Sequence, residues 1–272
     1  MSRSVICYAL HSKKKSLDVM TAFAQGCGGR VASVQEKELL PGDCAFYGVR
    51  PPWLHLWEQT KREGRKVYYI DNAYWDKCRE TYFRVTRNGL QADGSQAVWN
   101  DEGPGRLEAL GVTIREWQKA GSHVVICPQS QEFTRVVAGF EGDWLEQTVA
   151  ELKRHTDRPL RIRKKGEGRL LADDLAGAWA LVTHMSCAAV EALVAGVPVF
   201  CTGRSAAQWM GTSDLSMIET PYYPERRQEW AEVLAANQWT IEEMRDGTCW
   251  RAFEEQRMIG IGHYGDGRAQ RR

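Results

Sequence analysis

Short apolar runs alternate with amphipathic segments along most of the chain. In the first half, apolar runs at 4–8, 43–49 and 66–70 predict β-strands, and segments 16–25 and 53–63 have the apolar spacing of helices. Gly26 and Gly28 follow the first of these helices and Gly64 follows the second, as is typical of helix ends. Strands that alternate with helices in this way predict a parallel sheet with Rossmann-like winding.

The same alternation restarts after a less regular stretch at 75–117, which contains one predicted strand at 81–86. Strands are predicted at 124–127, 159–163, 178–183 and 198–201, and helices at 143–154, 170–177 and 187–195. We therefore predict an α/β fold with two Rossmann-like parallel-sheet domains, 1–117 and 118–225, that face each other across a cleft.

The pattern of residues 226–272 predicts two helices followed by a tail. Segment 226–237 has a helical pattern, and Thr240 with Glu243 has the spacing of a capping box that begins another helix. We expect the helices of 226–259 to cross back toward the first domain, and the glycine-rich, basic segment 260–272 to be a flexible tail.

The composition of the chain limits the classes of function and the cellular location that we expect. Lys and Arg number 36 against 35 Asp and Glu, so the net charge of +1 creates no global field toward nucleic acid or membrane. The eight cysteines are single, without a Cys-x-x-Cys pair, which predicts reduced thiols. There is no apolar run near the roughly 20 residues of a membrane span, and 1–15 lacks the apolar core of a secretory signal. We therefore expect a cytoplasmic protein without a membrane span.

The segment 178–200 carries the most information. A buried strand is followed by the loop His184-Met185-Ser186 and by a small-residue helix, and a helix start presents N–H groups and a positive dipole end to a phosphate. Arg163 and Lys165 follow the preceding strand and Arg204 follows the next, which predicts an anion site at three successive strand ends. The alternative is that Ser186 is only a helix cap.

These residues resemble a known family. The order Ser186, four residues, Glu191-Ala192, three residues, Gly-x-Pro is similar to the donor-binding helix of GT-B glycosyltransferases and of the related sugar-nucleotide 2-epimerases. Arg163-Lys164-Lys165 resembles a variant of their Arg-Pro-His-Pro loop, but the His and Pro are replaced by lysines. Segments 69–74 and 82–88 resemble parts of compact phage-encoded glycosyltransferases that modify DNA bases.

The resemblance implies a GT-B fold and a glycosyltransferase that uses a nucleotide-sugar as co-substrate, with 118–225 as the donor domain. Glu191 would bind the ribose, and Ser186 with neighbouring amides would hold the phosphate. The chain has no Asp-x-Asp motif, so we expect no metal and no other cofactor, with positive side chains opposing the charge of the leaving phosphate. The predicted donor-binding residues are Gln129, Ser130, Arg163, Lys165, Thr183, His184, Ser186, Cys187, Ala188, Glu191 and Arg204.

The acceptor is expected on domain 1–117. Glycosyl transfer needs a group that takes the acceptor's proton, and Asp71, at a strand end, is the first candidate, with His11 second. The predicted acceptor-binding residues are Arg50, Asn72, Tyr74, Arg84, Arg87 and Asn88. For Asp71 the alternative is a cap of the next turn, for His184 a satisfied half-buried histidine, and for the arginines a solvated strand face.

The leading hypothesis is therefore transfer of a sugar to a hydroxyl group, for which the resemblance suggests a 5-hydroxymethylpyrimidine in phage DNA and hence the host cytoplasm. Three alternatives remain open at this point: a surface-glycan acceptor, epimerisation of the sugar nucleotide, and a non-catalytic nucleotide- or DNA-binding protein of the same fold. The pattern says nothing about the oligomeric state.

Overall fold

The computed structural model describes residues 4–48, 53–75, 78–92, 103–166 and 168–254. Two β-sheets with flanking helices make up this part of the chain. The strands are β1 (Val5–Ala9), β2 (Arg30–Ser33), β3 (Asp43–Tyr47), β4 (Val67–Asn72), β5 (Phe83–Arg87), β6 (His123–Cys127), β7 (Leu160–Ile162), β8 (Ala178–Thr183), β9 (Val199–Cys201) and β10 (Gln238–Trp239). The helices are α1 (Lys14–Cys27), α2 (Leu54–Glu63), α3 (Gly103–Ala109), α4 (Trp144–Leu152), α5 (Leu171–Leu175), α6 (Ala188–Val194), α7 (Arg227–Ala236), α8 (Ile241–Arg245) and α9 (Thr248–Glu254).

The first sheet has the order β10-β5-β4-β3-β1-β2. Strands β1 to β4 are parallel, as expected, but β5 runs antiparallel to β4 and β10 antiparallel to β5. The wholly parallel sheet expected for this half is therefore corrected at one edge. The connection 73–82 between β4 and β5 is too short for the crossover that a parallel pair requires, which is a dozen or more residues.

The second sheet has the order β7-β6-β8-β9 and is parallel throughout, as predicted. Its central strands β6 and β8 are almost completely buried, because helices cover both faces of such a sheet. Parallel strands place all their carboxyl ends at one edge. The loops after β6, β7 and β8 therefore lie side by side.

The chain returns to the first sheet after α7. Strand β10 adds to β5, and α8 packs against α1. The predicted capping box begins α8: Glu243 N donates to Thr240 Oγ1 at 3.2 Å, and Thr240 N donates to Glu243 Oε2 at 2.7 Å. The return of the C-terminal helices is thus confirmed, whereas the predicted domain boundary at 117/118 stays a prediction.

One apolar core cluster belongs to both halves. Tyr74 and Trp75, which follow β4, pack in the same cluster as Val190 of α6 and Trp230 of α7. This shared core holds the end of β4 close to the start of α6. Among the described helices none is both long and apolar enough to traverse a bilayer.

Candidate functional site

A cavity of about 820 Å³ lies where the strand ends of the two sheets meet. Residues from both halves line it, and many of the lining residues are ones that the sequence singled out. They are Asp71, Asn72 and Arg84 from the first half, and Gln129, Ser130, Arg163, Lys165, Ser186, Cys187, Ala188 and Glu191 from the second. The structure therefore brings three of the predicted acceptor-side residues and eight of the predicted donor-side residues together.

The loop between β8 and α6 is held by its own hydrogen bonds. Thr183 Oγ1 donates to the Cys127 carbonyl at 2.6 Å and accepts from Ser186 N at 3.3 Å, and Ser186 Oγ accepts from Ala188 N at 3.2 Å. Thr183 is completely buried and does not line the cavity, so we correct its expected place in the donor site. Ser186 N and Ala188 N already have acceptors in this loop, and the expected role of the helix start in phosphate binding stays a prediction. Half-buried Glu191 is one turn into α6 and faces the cavity.

Cationic side chains follow β7. Arg163 is held in place because its Nε lies 3.2 Å from Oδ2 of the buried Asp174, and Arg169 Nη1 lies 3.3 Å from Oδ1 of the same carboxylate. Lys164 and Lys165 are exposed at the cavity, and in the described ranges of the chain neither has an ion-pair partner. These two lysines therefore supply positive charge at the cavity that is available to an anionic ligand.

His184 faces away from the cavity. Its Nδ1 lies 3.0 Å from Thr202 Oγ1, which also accepts a 2.7 Å hydrogen bond from Trp144 Nε1, and its ring packs edge-on against Phe140. The Thr202 hydroxyl is thus the hydrogen-bond partner of this ring nitrogen. Burial also lowers the pKa of His184. The alternative of a satisfied, buried histidine is therefore the one that the structure supports, and its expected contact with the nucleotide is corrected.

Arg204 is exposed and lies outside the cavity lining. It follows β9, whereas the lining from this half comes from the loops after β6, β7 and β8. Of the cations expected after β7 and after β9, only those after β7 line the cavity.

Asp71 is the fifth residue of β4 rather than the first residue after it. Its Oδ2 accepts hydrogen bonds from Tyr69 Oη at 2.9 Å and from Arg84 Nη2 at 2.7 Å, and its Oδ1 accepts from Asn72 N at 2.8 Å. Burial raises the pKa of Tyr69 well above its usual value, so this hydroxyl stays protonated and donates to Asp71. The carboxylate is therefore fixed at the cavity wall beside a guanidinium group.

Arg84 and Tyr74 stabilise this arrangement of the Asp71 carboxylate. The Arg84 side chain is only 8% exposed, its Nη1 donates to the Asn72 carbonyl at 2.7 Å, and its guanidinium lies 5.2 Å from the centre of the Tyr74 ring. Tyr74 is completely buried, and its hydroxyl accepts from Ala92 N at 2.8 Å. Tyr74 is thus part of the core beneath Arg84, and its expected contact with an acceptor is corrected.

Arg87 and Asn88 lie at the opposite end of β4. Asn88 adopts a left-handed conformation with φ 61° and exchanges hydrogen bonds with Val67, the first residue of the strand. From there to Asp71 the chain rises about 13 Å at roughly 3.3 Å per residue. Both residues are outside the cavity lining, and their expected contact with an acceptor stays a prediction.

The other two predicted residues do not enter the cavity either. His11 is exposed in the turn after β1, which lies two strands away from β4 in the sheet, or about 10 Å at roughly 4.8 Å per strand. It does not line the cavity. Arg50 lies outside the described residues.

Several lining residues were missed by the sequence analysis. Gln91 and the half-buried Arg79 come from the irregular stretch before α3, where no periodicity marks them. Trp144 and Phe133 form part of the apolar wall on the second half. Nothing in the local pattern distinguishes these aromatic residues from core residues, and only the tertiary arrangement places them at the cavity.

In the described part of the chain, no group of three or more His, Cys, Asp or Glu side chains is arranged to hold a metal ion. The expectation of metal-independent chemistry remains a prediction.

Comparison with known proteins gives the fold. No protein-family model and no curated protein sequence matches the chain. Among solved structures, it is similar to Thermosulfurimonas dismutans KpsC, beta Kdo 2,4 transferase, with a TM-score of 0.50 and 11% identity over 87% of this chain and 90% of that one. It is also similar to the beta Kdo 2,7 transferase of the same KpsC, with a TM-score of 0.50 and 11% identity over 91% and 99%. The chain therefore has the GT-B-like α/β fold that was expected from the sequence.

Proposed function

We propose that this chain is a glycosyltransferase that moves a sugar from a nucleotide-sugar donor to a hydroxyl group of an acceptor. The observation that carries the proposal is that one cavity joins a fixed carboxylate, Asp71, from one sheet to a cationic loop, 163–165, from the other. A carboxylate is needed for the acceptor's proton and cations for the donor's phosphate. The cavity volume of about 820 Å³ is within the roughly 300–1,000 Å³ of small-molecule sites.

The chemistry follows from this placement. In a single displacement, the acceptor oxygen attacks the anomeric carbon, and the bond from that carbon to the phosphate oxygen breaks with its electron pair left on the phosphate. Asp71 takes the hydroxyl proton. Arg163, Lys164 and Lys165 oppose the negative charge that develops on the departing phosphate.

The hydrogen bonds of Asp71 are compatible with this role. A carboxylate has about four lone-pair sites, and three are occupied by Tyr69, Arg84 and the Asn72 amide. The remaining site, on Oδ1, is the one that we assign to the acceptor hydroxyl. Arg84 then fixes the direction in which this oxygen points.

On the donor side, we assign the nucleotide to the wall formed by the second sheet. Glu191 and Ser186 line this wall, and we assign the ribose hydroxyls to Glu191 and a donor phosphate to the Ser186 hydroxyl. The phosphate depends on side-chain cations in this proposal, since the local hydrogen bonds of the β8–α6 loop occupy two of the nearby amides.

Two acceptors are supported by different observations. The sequence resemblance favours a 5-hydroxymethylpyrimidine in DNA, which would have to leave the base stack to reach the cavity. The two structural neighbours are named as Kdo transferases, which favours a sugar hydroxyl.

The experiment is to incubate the protein with UDP-, GDP- and CMP-sugars, separately with hydroxymethylated DNA and with glycan acceptors, and to measure release of the nucleotide. We expect release with one donor class, with and without a chelator. No release with any combination, together with no binding of any donor, would overturn the proposal. Release that stops on chelation would overturn its metal-independent form.

A further inference from the structure

Gln91, from the first half of the chain, contacts the loop that carries Ser186. Its side chain is buried, with 6% of its surface exposed, and it lines the cavity. Its Nε2 donates to the Met185 carbonyl, and its Oε1 accepts from Ala206 N at 3.0 Å and from Ser205 Oγ at 3.4 Å. A single side chain thus connects the loop after β8 with the loop after β9.

The Met185 carbonyl lies between β8 and α6, and the Ala206 amide lies in the irregular chain after β9. An amide side chain is able to serve a carbonyl and an N–H at the same time. The same two loops are also joined by the 2.8 Å hydrogen bond from Gly203 N to the His184 carbonyl. Gln91 adds a connection from the first half of the chain to both loops.

We infer that Gln91 is a positioning residue for donor binding, which orients the Met185–Ser186 peptide so that Ser186 and the start of α6 face the donor. This inference rests on the donor site proposed above. It goes beyond that proposal because Gln91 comes from the half of the chain that was assigned to the acceptor. Donor affinity then depends on a contact between the two halves.

The chain offers a matched control. Gln238 is also completely buried, its Oε1 accepts from Tyr74 N at 2.8 Å, and its Nε2 donates to the Leu234 carbonyl at 3.2 Å. It connects β10 with the chain after β4 but does not line the cavity. Any effect that comes only from burying an altered glutamine should appear equally at both positions.

The test compares Gln91→Glu with Gln238→Glu by titrating each protein, and the wild type, with the nucleotide-sugar that the wild type binds, from pH 5.5 to 8. A protonated carboxyl donates one hydrogen bond and accepts another, as the amide does, whereas an ionised carboxylate opposes the Met185 carbonyl. We expect donor Kd in Gln91→Glu within about threefold of wild type at pH 5.5 and at least tenfold weaker at pH 8. In Gln238→Glu, Kd should follow the wild type across this range.

The outcomes separate the two proposals. If the wild type binds no nucleotide-sugar, the proposed function fails, and this inference fails with it. If the wild type binds and Gln91→Glu follows it at every pH, or changes no more than Gln238→Glu, only the positioning role is overturned. Should Gln91→Glu not fold, Gln91→Met with Gln238→Met takes its place: a tenfold weaker Kd in the first alone supports the role, and equal effects overturn it.

Discussion

Replacing Asp71 by Asn removes the group that we assign to proton transfer and changes little else in shape. The Arg84 side chain beside it is 8% exposed and Asp71 is 26% exposed, so the variant leaves a nearly buried guanidinium without its carboxylate. Breaking a fully buried pair costs about 3–5 kcal/mol. Because the Asn oxygen still accepts one hydrogen bond and Asp71 is partly solvated, we expect a loss of about 2 kcal/mol in the free energy of unfolding.

In a chain of this size, that loss corresponds to a fall in Tm of about 4–8 °C. The catalytic effect should be larger, since a positioned general base contributes about 10²–10⁴-fold to the rate. We therefore expect kcat to fall by that factor in Asp71→Asn at 25 °C, where the variant remains folded. Donor Kd should stay within about twofold, because the donor site is on the other wall of the cavity.

Asp43→Asn provides the control for lost charge. Asp43 is buried on β3 with its Oδ2 3.9 Å from Lys66 Nζ, and it does not line the cavity. Steady-state kinetics, donor titration and thermal unfolding should be measured on both variants. A kcat in Asp71→Asn within threefold of wild type, with donor binding intact, would refute the assignment.

Two further predictions concern the donor side and pH. Ser186→Ala combined with Arg163→Ala should abolish the rise in Tm that the donor produces; an unchanged rise would remove the donor from this wall of the cavity. Burial lowers the pKa of His184 in the folded protein. The stability that His184 contributes is therefore complete above its unfolded pKa of about 6.5, and this stability is lost as the pH falls from that value through the folded pKa. Tm measured from pH 8 to 5 should fall less in His184→Leu than in wild type, whereas His155→Leu, at a more exposed histidine, should leave the pH dependence in place; equal slopes in all three proteins would contradict the role of His184.

Local patterns predicted the elements that local chemistry determines. The strand at 178–183 has the predicted bounds because it is a continuous buried run between Gly177 and a polar loop. The capping box at Thr240 and Glu243 is likewise a property of four consecutive residues. The two-residue strand β10 and the antiparallel direction of β5 depend on tertiary pairing, which no periodicity encodes.

For the site, the sequence identified residues at strand ends but not which of those ends meet. Arg204 and His11 lie at strand ends as Arg163 and Asp71 do, yet Arg204 does not line the cavity and β1 is two strands away from β4. The partners that hold the site, Asp174 for Arg163 and Gln91 for Met185, are distant in sequence or in irregular segments. Their contacts follow from the packing of the two halves.

The central claim is transfer of a sugar to a hydroxyl group, and mass spectrometry of the acceptor tests it most directly. Hydroxymethylated DNA and glycan acceptors should be analysed after incubation with each nucleotide-sugar and the wild-type protein. We predict that one acceptor gains the mass of one sugar residue, and that Asp71→Asn reduces this product at least a hundredfold while the donor remains bound. Donor binding with no mass gain on any acceptor would contradict transfer and leave a nucleotide-sugar-binding protein or an epimerase.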